Sequence, residues 1–244
     1  MAAPINLHQL MGSLRTTGSP GGLHGSQERL PHWPFVTISR EAGAGGRTVG
    51  RHLAQLLSGD DPDHPWQLFD RELVEKIAAD HHLSTDLIDS LEHSSHTWIS
   101  EFFGNLTVAD RAQPTELAIL RRAMETMRGL ARAGHVVLVG LAGVNITRDL
   151  PLGVHVRLIA PLPWRIKNFA HLENLTEPDA RRRVAILDHQ RQAFFARYWP
   201  NKPLNAELFH LTLNAGLLTD EEMADAIAPL VKCREQVEMT GTKW

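Results

Sequence analysis

The order of apolar and polar positions divides the chain into alternating strand and helix signals. Phe35, Val36, Thr37 and Ile38 form an apolar, β-branched run that predicts a buried strand. A glycine cluster follows, and then Val49, Leu53, Leu56 and Leu57 recur at helical spacing. After a polar, acidic loop from Ser58 to Pro65, Trp66–Phe69 predict a second short strand ending at Asp70 and Arg71. Helical periodicity resumes at Glu72 (Leu73, Val74, Ile77, Ala78). It resumes again after Ser84, where Asp86 and Asp89 accompany an apolar face of Leu87, Ile88 and Leu91. Trp98, Ile99, Phe102, Phe103 and Leu106 make an aromatic stripe that reads as core or as the face of a small subdomain. Pro114 opens and Gly134 closes a long amphipathic helix through Ala133, with Leu117, Leu120, Met124, Met127 and Leu130 inward. Arg121, Arg122, Arg128 and Arg132 are expected on its wet side.

His135–Gly140 is the clearest buried strand, its continuous apolar character suiting the centre of a parallel sheet. Val154–Ile159 and Leu208–Leu213 are the next and last strands. Between them lies a basic helical segment carrying Arg165, Lys167, Arg181, Arg182, Arg183, Arg191 and Arg197, with Glu177, Asp179 and Asp188 interspersed. Thr219–Glu222 cap a final helix (Met223, Ala226, Ile227, Leu230, Val231), and a frayed tail is expected after about Glu235. Strands alternating with helices over this length imply a doubly wound parallel α/β sheet with right-handed crossovers.

Composition narrows the class. The 244 residues, 43% hydrophobic and 22% charged, suit one soluble α/β domain with or without a small lid. Glycine and proline punctuate residues 1–32, which are expected to form a mobile tail with one short amphipathic turn at Leu7, Leu10, Met11 and Leu14. This stretch lacks the pattern of a secretory signal. A net charge of −3 offers no basic field for nucleic acid, and no apolar run approaches the ~20 residues of a membrane span. The single cysteine, Cys233, excludes an internal disulfide, fits a reducing cytoplasm, and reads as an ordinary thiol on a late helix. The fourteen histidines are scattered, and read mostly as surface and cap residues with a metal site as the minor alternative. His81 and His82 point about 100° apart on a helix and do not readily share a metal.

The candidate chemistry lies after the first strand, at Arg40-Glu41-Ala42-Gly43-Ala44-Gly45-Gly46-Arg47-Thr48. Strand, glycine loop and helix in this order cradle phosphate, because glycines let backbone N–H groups approach the oxygens and the helix N-terminus is electropositive. Asp70 stands at the carboxyl end of a strand, where parallel sheets place ligand groups, and equally at the position of a helix N-cap. The basic segment reads either as a solvated helical hairpin or as a lid whose guanidinium forks close over phosphates. A dinucleotide-binding reading is disfavoured, since Gly43, Gly45 and Gly46 do not give G-x-G-x-x-G.

Three stretches carry a family resemblance: Ile38–Arg47, then Phe69-Asp70-Arg71-Glu72-Leu73, then Val137-Leu138-Val139-Gly140. With Asp188, Arg191, Phe194-Phe195 and Leu213-Asn214 in the same order, the chain resembles the cytidylate kinase-like family over roughly residues 33–232. The resemblance implies a P-loop fold of the nucleoside monophosphate kinase type: a parallel five-stranded core flanked by helices, a nucleotide-binding helical insertion, and a helical lid at about 161–200. The tail at 1–32 and residues 236–244 would flank a domain spanning 33–235. It implies transfer of the terminal ATP phosphoryl group to CMP, dCMP or a similar monophosphate, with Mg2+, and partners limited to small-molecule nucleotides. Carried over by position, Arg40 and Gly43, Ala44, Gly45, Gly46, Arg47 and Thr48 would hold the donor phosphates. Thr48 would also meet the metal. Asp70 and Arg71 would face the acceptor. Arg47, Arg165, Arg183 and Arg191 would supply catalytic charge, with Asp188 orienting a lid arginine.

The chain departs from the pattern in the loop itself. One alignment places Gly46 where true CMP kinases have a lysine. Shifting by one gives Arg47 the lysine position and Thr48 the metal-binding position of G-x-x-x-x-G-K-[ST], but leaves Glu41 where the first glycine belongs. Leu141 stands where relatives commonly have an arginine, and no carboxylate follows the His135–Gly140 strand. A nucleotide sensor without turnover and a purely structural module are therefore the alternatives to a kinase.

Overall fold

Five parallel strands form one sheet in the order β2-β3-β1-β4-β5, in a computed structural model that describes residues 33–70, 114–140, 142–200 and 204–240, without the side chains of 114–119 and 237–240. The expected tail at 1–32, the helices after Glu72 and Ser84, the stripe at 98–106, Arg71 and Leu141 lie outside the described residues. β1 (Phe35–Arg40) is central, pairing with β3 (Val136–Val139) on one side and β4 (Gly153–Ile159) on the other. β2 (Gln67–Asp70) and β5 (Leu211–Asn214) are the outer strands of the sheet. Such a sheet is covered on both faces, which explains why β3 is apolar at every position.

One face packs against α1 (Gly46–Asp60) and α6 (Asp220–Thr240). Val36, Ile38, Val137, Val139, Val154 and Val156 there meet Val49, Leu53, Leu57, Met223, Ile227 and Val231. The other face packs Phe35, Phe69 and Leu138 against Met124, Met127 and Leu130 of α2 (Pro114–Ala133) and Ile146 of the short α3 (Gly143–Thr147). α4 (Leu162–Glu173) and α5 (Glu177–Tyr198) form a helical hairpin with its own small core of Ile166, Ala180 and Val184. Ala42 of the glycine loop is part of that core, so the hairpin is seated on the loop.

Three expectations are corrected. Arg128 is not on the wet side of α2: it is 2% exposed and forks onto Asp149, with Nη1 to Oδ1 at 2.7 Å and Nη2 to Oδ2 at 2.9 Å. Its Nη1 also donates to the Ile146 carbonyl at 2.6 Å. The last strand starts later than expected, because residues Ala206–Leu208 wind into a 3-10 turn that takes up Leu208 and leaves Phe209 and His210 as a connection. α6 continues to Thr240, beyond the expected fraying point near Glu235. The described histidines are mostly exposed or half-buried, as expected, with one exception. His155 is buried on β4, with Nδ1 2.8 Å from the Thr37 hydroxyl, and its backbone N–H donates to His210 Nδ1 at 2.9 Å.

Candidate functional site

The glycine loop leaves β1 at the carboxyl edge of the sheet and enters α1 directly. Gly43 (φ 79°) and Gly45 (φ 75°) take the left-handed conformation that turns the chain back over the strand, a geometry costly for other residues. Gly45 is the N-cap of α1 and has no side chain with which to cover the helix amides; no acidic residue occupies the first turn. The Gly45 carbonyl accepts from Thr48 N at 2.9 Å and Val49 N at 3.0 Å, closing the first turn. The amides of Gly43, Gly45 and Gly46 donate to no group among the described residues. Helix N-terminal amides that are left open in this way are anion donors.

One loop amide already holds an anion. Ala42 N donates to Asp188 Oδ1 of α5 at 3.0 Å, and Asp188 Oδ2 accepts from Arg165 Nη1 at 2.6 Å. Arg165, on the first turn of α4, is buried and reaches in several directions. Its Nη1 donates to the Ala42 carbonyl and its Nε to the Ala160 carbonyl, each at 3.0 Å. Asn168 adds a 2.8 Å bond to the Gly43 carbonyl. Glu41, in the place of a first loop glycine, accepts the Ala160 amide at 3.0 Å and lies 3.3 Å from Arg165 Nε. It staples the loop to the end of β4.

The other predicted site residues separate into three places. Arg47 points away from the lid and pairs with Asp70 at the end of β2, its side chain 60% exposed. Arg191 flanks the latch, with Nη1 3.6 Å from Asp188 Oδ1. Arg183 is elsewhere, lining a cleft of the hairpin with Phe169, Leu175 and Ile186 that includes no residue of the glycine loop. Thr48 stands on the first turn of α1, and Ala44 is fully buried against the core.

Arg40 lies beneath the loop. Its stem runs under Gly46, where an added Cβ would lie 3.0 Å from Arg40 Cγ and 3.2 Å from Cδ. Its guanidinium lies against Gly140 at the end of β3, where an added Cβ would sit 2.9 Å from Cζ and closer still to Nη1. Asp220, opening α6, borders the loop from the other side, 3.2 Å from the position of a Gly45 Cβ. Burial raises the Asp220 carboxyl above its ordinary value against the pull of His52, with Glu221 reinforcing the rise.

Sequence reasoning missed Glu41 as a staple and Asn168 as a loop ligand. No spacing rule links Glu41 to Ala160, and the only available signal was the position of Asn168 one turn after Arg165 on the same helix. Among the described residues no helix is long and apolar enough to cross a membrane, and no cluster of three metal-ligating side chains occurs.

The model of the cytidylate kinase-like family matches residues 35–216, which include the glycine loop, the hairpin and β5. A uronate isomerase of Corynebacterium glutamicum is 25% identical over 180 residues, 71% of this chain and 34% of that protein, so the chain spans about a third of the length of the curated relative it matches. An uncharacterized protein from Eubacterium ventriosum shares the fold, with a TM-score of 0.62 and 19% identity over 82% of this chain and 99% of that one. A shikimate kinase from Acinetobacter baumannii, crystallised with shikimate, superposes with a TM-score of 0.44 and 18% identity over 83% of this chain and 95% of its own.

Proposed function

The chain belongs to the cytidylate kinase-like family, and from that premise we propose that it binds nucleoside phosphates at the glycine loop and transfers the terminal phosphoryl group of ATP to a monophosphate, CMP or dCMP first among them. The observation that carries the reading is the row of open amides at Gly43, Gly45 and Gly46 heading α1, next to an Ala42 amide that already binds a carboxylate. That arrangement suits the oxygens of a polyphosphate. Thr48 is the protein group on hand for a magnesium ion, whose other positions phosphate oxygens and water would fill. When bound, that ion would neutralise charge between the phosphates.

Phosphoryl transfer asks the protein chiefly for positioning and charge neutralisation. The loop amides orient the donor phosphates. Arg165 and Asp188 hold the hairpin down on the loop and so limit the entry of water. Asp70, with Arg47 beside it and Arg71 following in sequence, stands at the end of β2 on the acceptor side, and Arg191 is the lid arginine next to the latch.

A coupled assay for ADP release across CMP, dCMP, UMP and AMP tests the reading, with turnover on CMP or dCMP as the expected result. The pairing of Arg47 with Asp70 favours one second reading, a nucleotide sensor without turnover. It predicts thermal stabilisation by ATP or CMP and no ADP release at high protein concentration. No stabilisation by ATP, CMP or CDP would reject both.

A further inference from the structure

We propose that Asp220 makes this phosphate site select a nucleotide over a bare polyphosphate, its carboxylate accepting a hydroxyl of the sugar that the loop-bound phosphates carry. The inference rests on the reading of the glycine loop as a phosphate site. Asp220 opens α6, and its Oδ1 lies 3.2 Å from the position that a Gly45 Cβ would take. Asn168 Nδ2 of α4 lies 3.8 Å from the same point. One N–H of that amide goes to the Gly43 carbonyl at 2.8 Å, and the second is committed to no group among the described residues. A notch over Gly45 thus presents one acceptor and one donor beside the open loop amides. A hydroxyl seated there can donate to Asp220 and accept from Asn168. An ionised phosphate oxygen, with no proton to give, cannot do both.

The helix itself does not call for this carboxylate. Three acidic residues fill the first turn of α6, and each meets something different. Glu222 and Thr219 cap the helix reciprocally, Thr219 N donating to Glu222 Oε2 at 2.8 Å and Glu222 N to Thr219 Oγ1 at 3.1 Å. Glu221 Oε1 lies 3.6 Å from His52 Nε2 on α1. Asp220 accepts no hydrogen bond among the described residues, although burial and Glu221 both work against its charge. A carboxylate beside an anion site weakens every anion bound there, unless the ligand also brings it a hydrogen-bond donor. In a nucleotide the donors nearest the phosphates are the sugar hydroxyls, and the base lies beyond the sugar. A bare polyphosphate meets the repulsion without the hydrogen bond.

The test is calorimetric titration of ATP, 2′,3′-dideoxy-ATP and tripolyphosphate into the wild-type chain, Asp220→Ala, Asp220→Asn and Asp225→Asn. It is run at pH 8, about four units above an ordinary aspartate pKa. ATP and dideoxy-ATP carry the same charge, so their ratio isolates the sugar hydroxyls. Wild type is expected to bind ATP at least about fivefold tighter than dideoxy-ATP, and Asp220→Ala to bind the two within about twofold. The same variant should bind tripolyphosphate at least about threefold tighter than wild type, because the repulsion is gone. A structural role would not give these opposite signs, since damage to the seam between α1 and α6 weakens all three ligands alike. Asp225→Asn removes a charge from the exposed surface of the same helix, where solvent screens it, and should leave all three within about twofold. A folded Asp220→Ala chain that keeps the preference for ATP over dideoxy-ATP overturns the role of Asp220 and leaves the phosphate site standing, as does a wild-type chain without that preference. Tripolyphosphate bound no tighter by Asp220→Ala overturns it too, and so does an equal tightening by Asp225→Asn, which reduces the effect to net charge. Should Asp220→Ala fail to fold, Asp220→Asn decides: unchanged tripolyphosphate affinity in a folded asparagine variant refutes the selection by charge. A wild-type chain that binds neither ATP nor tripolyphosphate overturns the phosphate-site reading itself.

Discussion

A single methyl group at Gly43 should unseat the lid. An added Cβ there would lie 3.0 Å from the carbonyl carbon of Arg165, closer still to its oxygen, and 3.2 Å from its Cβ. The obstacle is backbone in the first turn of α4, which is pinned by Arg165 N to Pro161 O at 3.0 Å and cannot rotate aside. The φ of 79° adds a left-handed penalty of about 1–2 kcal/mol for alanine. Relief of the clash requires the hairpin to lift, which lengthens Arg165 to Ala42 O (3.0 Å) and Asn168 to Gly43 O (2.8 Å), each worth about 1 kcal/mol. Gly43→Ala should therefore cost about 3 kcal/mol and lower Tm by roughly 6–12 °C in a domain of this size. Thermal unfolding followed by far-ultraviolet circular dichroism measures it. Gly59→Ala is the internal comparison: it lies in α1 with nothing within 4 Å of the added methyl, and should gain up to about 1 kcal/mol. If Gly43→Ala melts within about 2 °C of wild type, the hairpin is not seated on the loop and the argument from the latch fails.

Two further outcomes follow from buried polar groups. Asp149→Ala leaves the Arg128 guanidinium buried without its carboxylate and should lower the urea unfolding free energy by about 3 kcal/mol. Burial opposes ionisation of Asp149, but the Arg128 hydrogen bonds and charge outweigh it and hold the carboxyl below its usual range. Its contribution is thus complete above the ordinary carboxylate pKa and is lost as pH falls below it, so the variant should show a flatter acid limb in Tm against pH. His155 is pushed down to about 4 by burial foremost, with His210 and Arg234 adding. The unfolded chain takes up a proton near 6.5 and the folded one does not, so stability is complete above that pH and falls by about 3 kcal/mol towards pH 4. Urea midpoints of wild type and His155→Gln at pH 7.5 and 5 measure this, the variant losing less on acidification. An equal loss in both would assign the acid limb to other groups, among them His135, which burial also pushes down to about 4.

What could be read from the sequence was what local spacing encodes. Pro114 and Gly134 bracket α2 as expected because both act on their own backbone, and β1 and β3 announce themselves by unbroken apolar runs. Arg128 defies the rule that a charged residue faces water, because its position in the helix decides its burial. It lies four residues after Met124 and three before Ala131, on the buried face, and its partner Asp149 belongs to another element. The start of the last strand is hidden because Leu208-Phe209-His210 alternates like a strand, while the chain there winds into the turn at Ala206–Leu208, just after the Leu204 carbonyl that Arg157 Nη1 holds at 2.6 Å. Within the site, the glycine loop and the proximity of Asp188 to Arg191 were legible. The roles of Glu41, Arg165 and Asp188 in fastening the loop to β4 and the lid were not, because those contacts join residues more than a hundred positions apart.

These long-range contacts change what the variant loop means. Around it, acidic and basic groups are matched on each side: Glu41 and Asp188 meet Arg165 at the lid, and Asp70 meets Arg47 at β2. A side chain at Gly46 would start 3.0 Å from Arg40 Cγ and 3.2 Å from Cδ, so the Arg40 stem would have to give by a few tenths of an ångström to admit one. Arg40, Gly46 and Gly140 thus pack as one set, since a side chain at either glycine would press on Arg40. The lid is coupled to the loop in the same sense. The Ala42 amide and carbonyl are both bound by hairpin side chains, and the Ala42 methyl is packed in the hairpin core, so α4 and α5 cannot lift without carrying the loop or breaking all three contacts. By contrast, Arg47 and Asp70 meet at a largely solvent-exposed guanidinium, where an ion pair is worth little and exchanges readily. Lifting the lid from the loop therefore costs two hydrogen bonds and a packed methyl group, more than parting one ion pair at an exposed guanidinium.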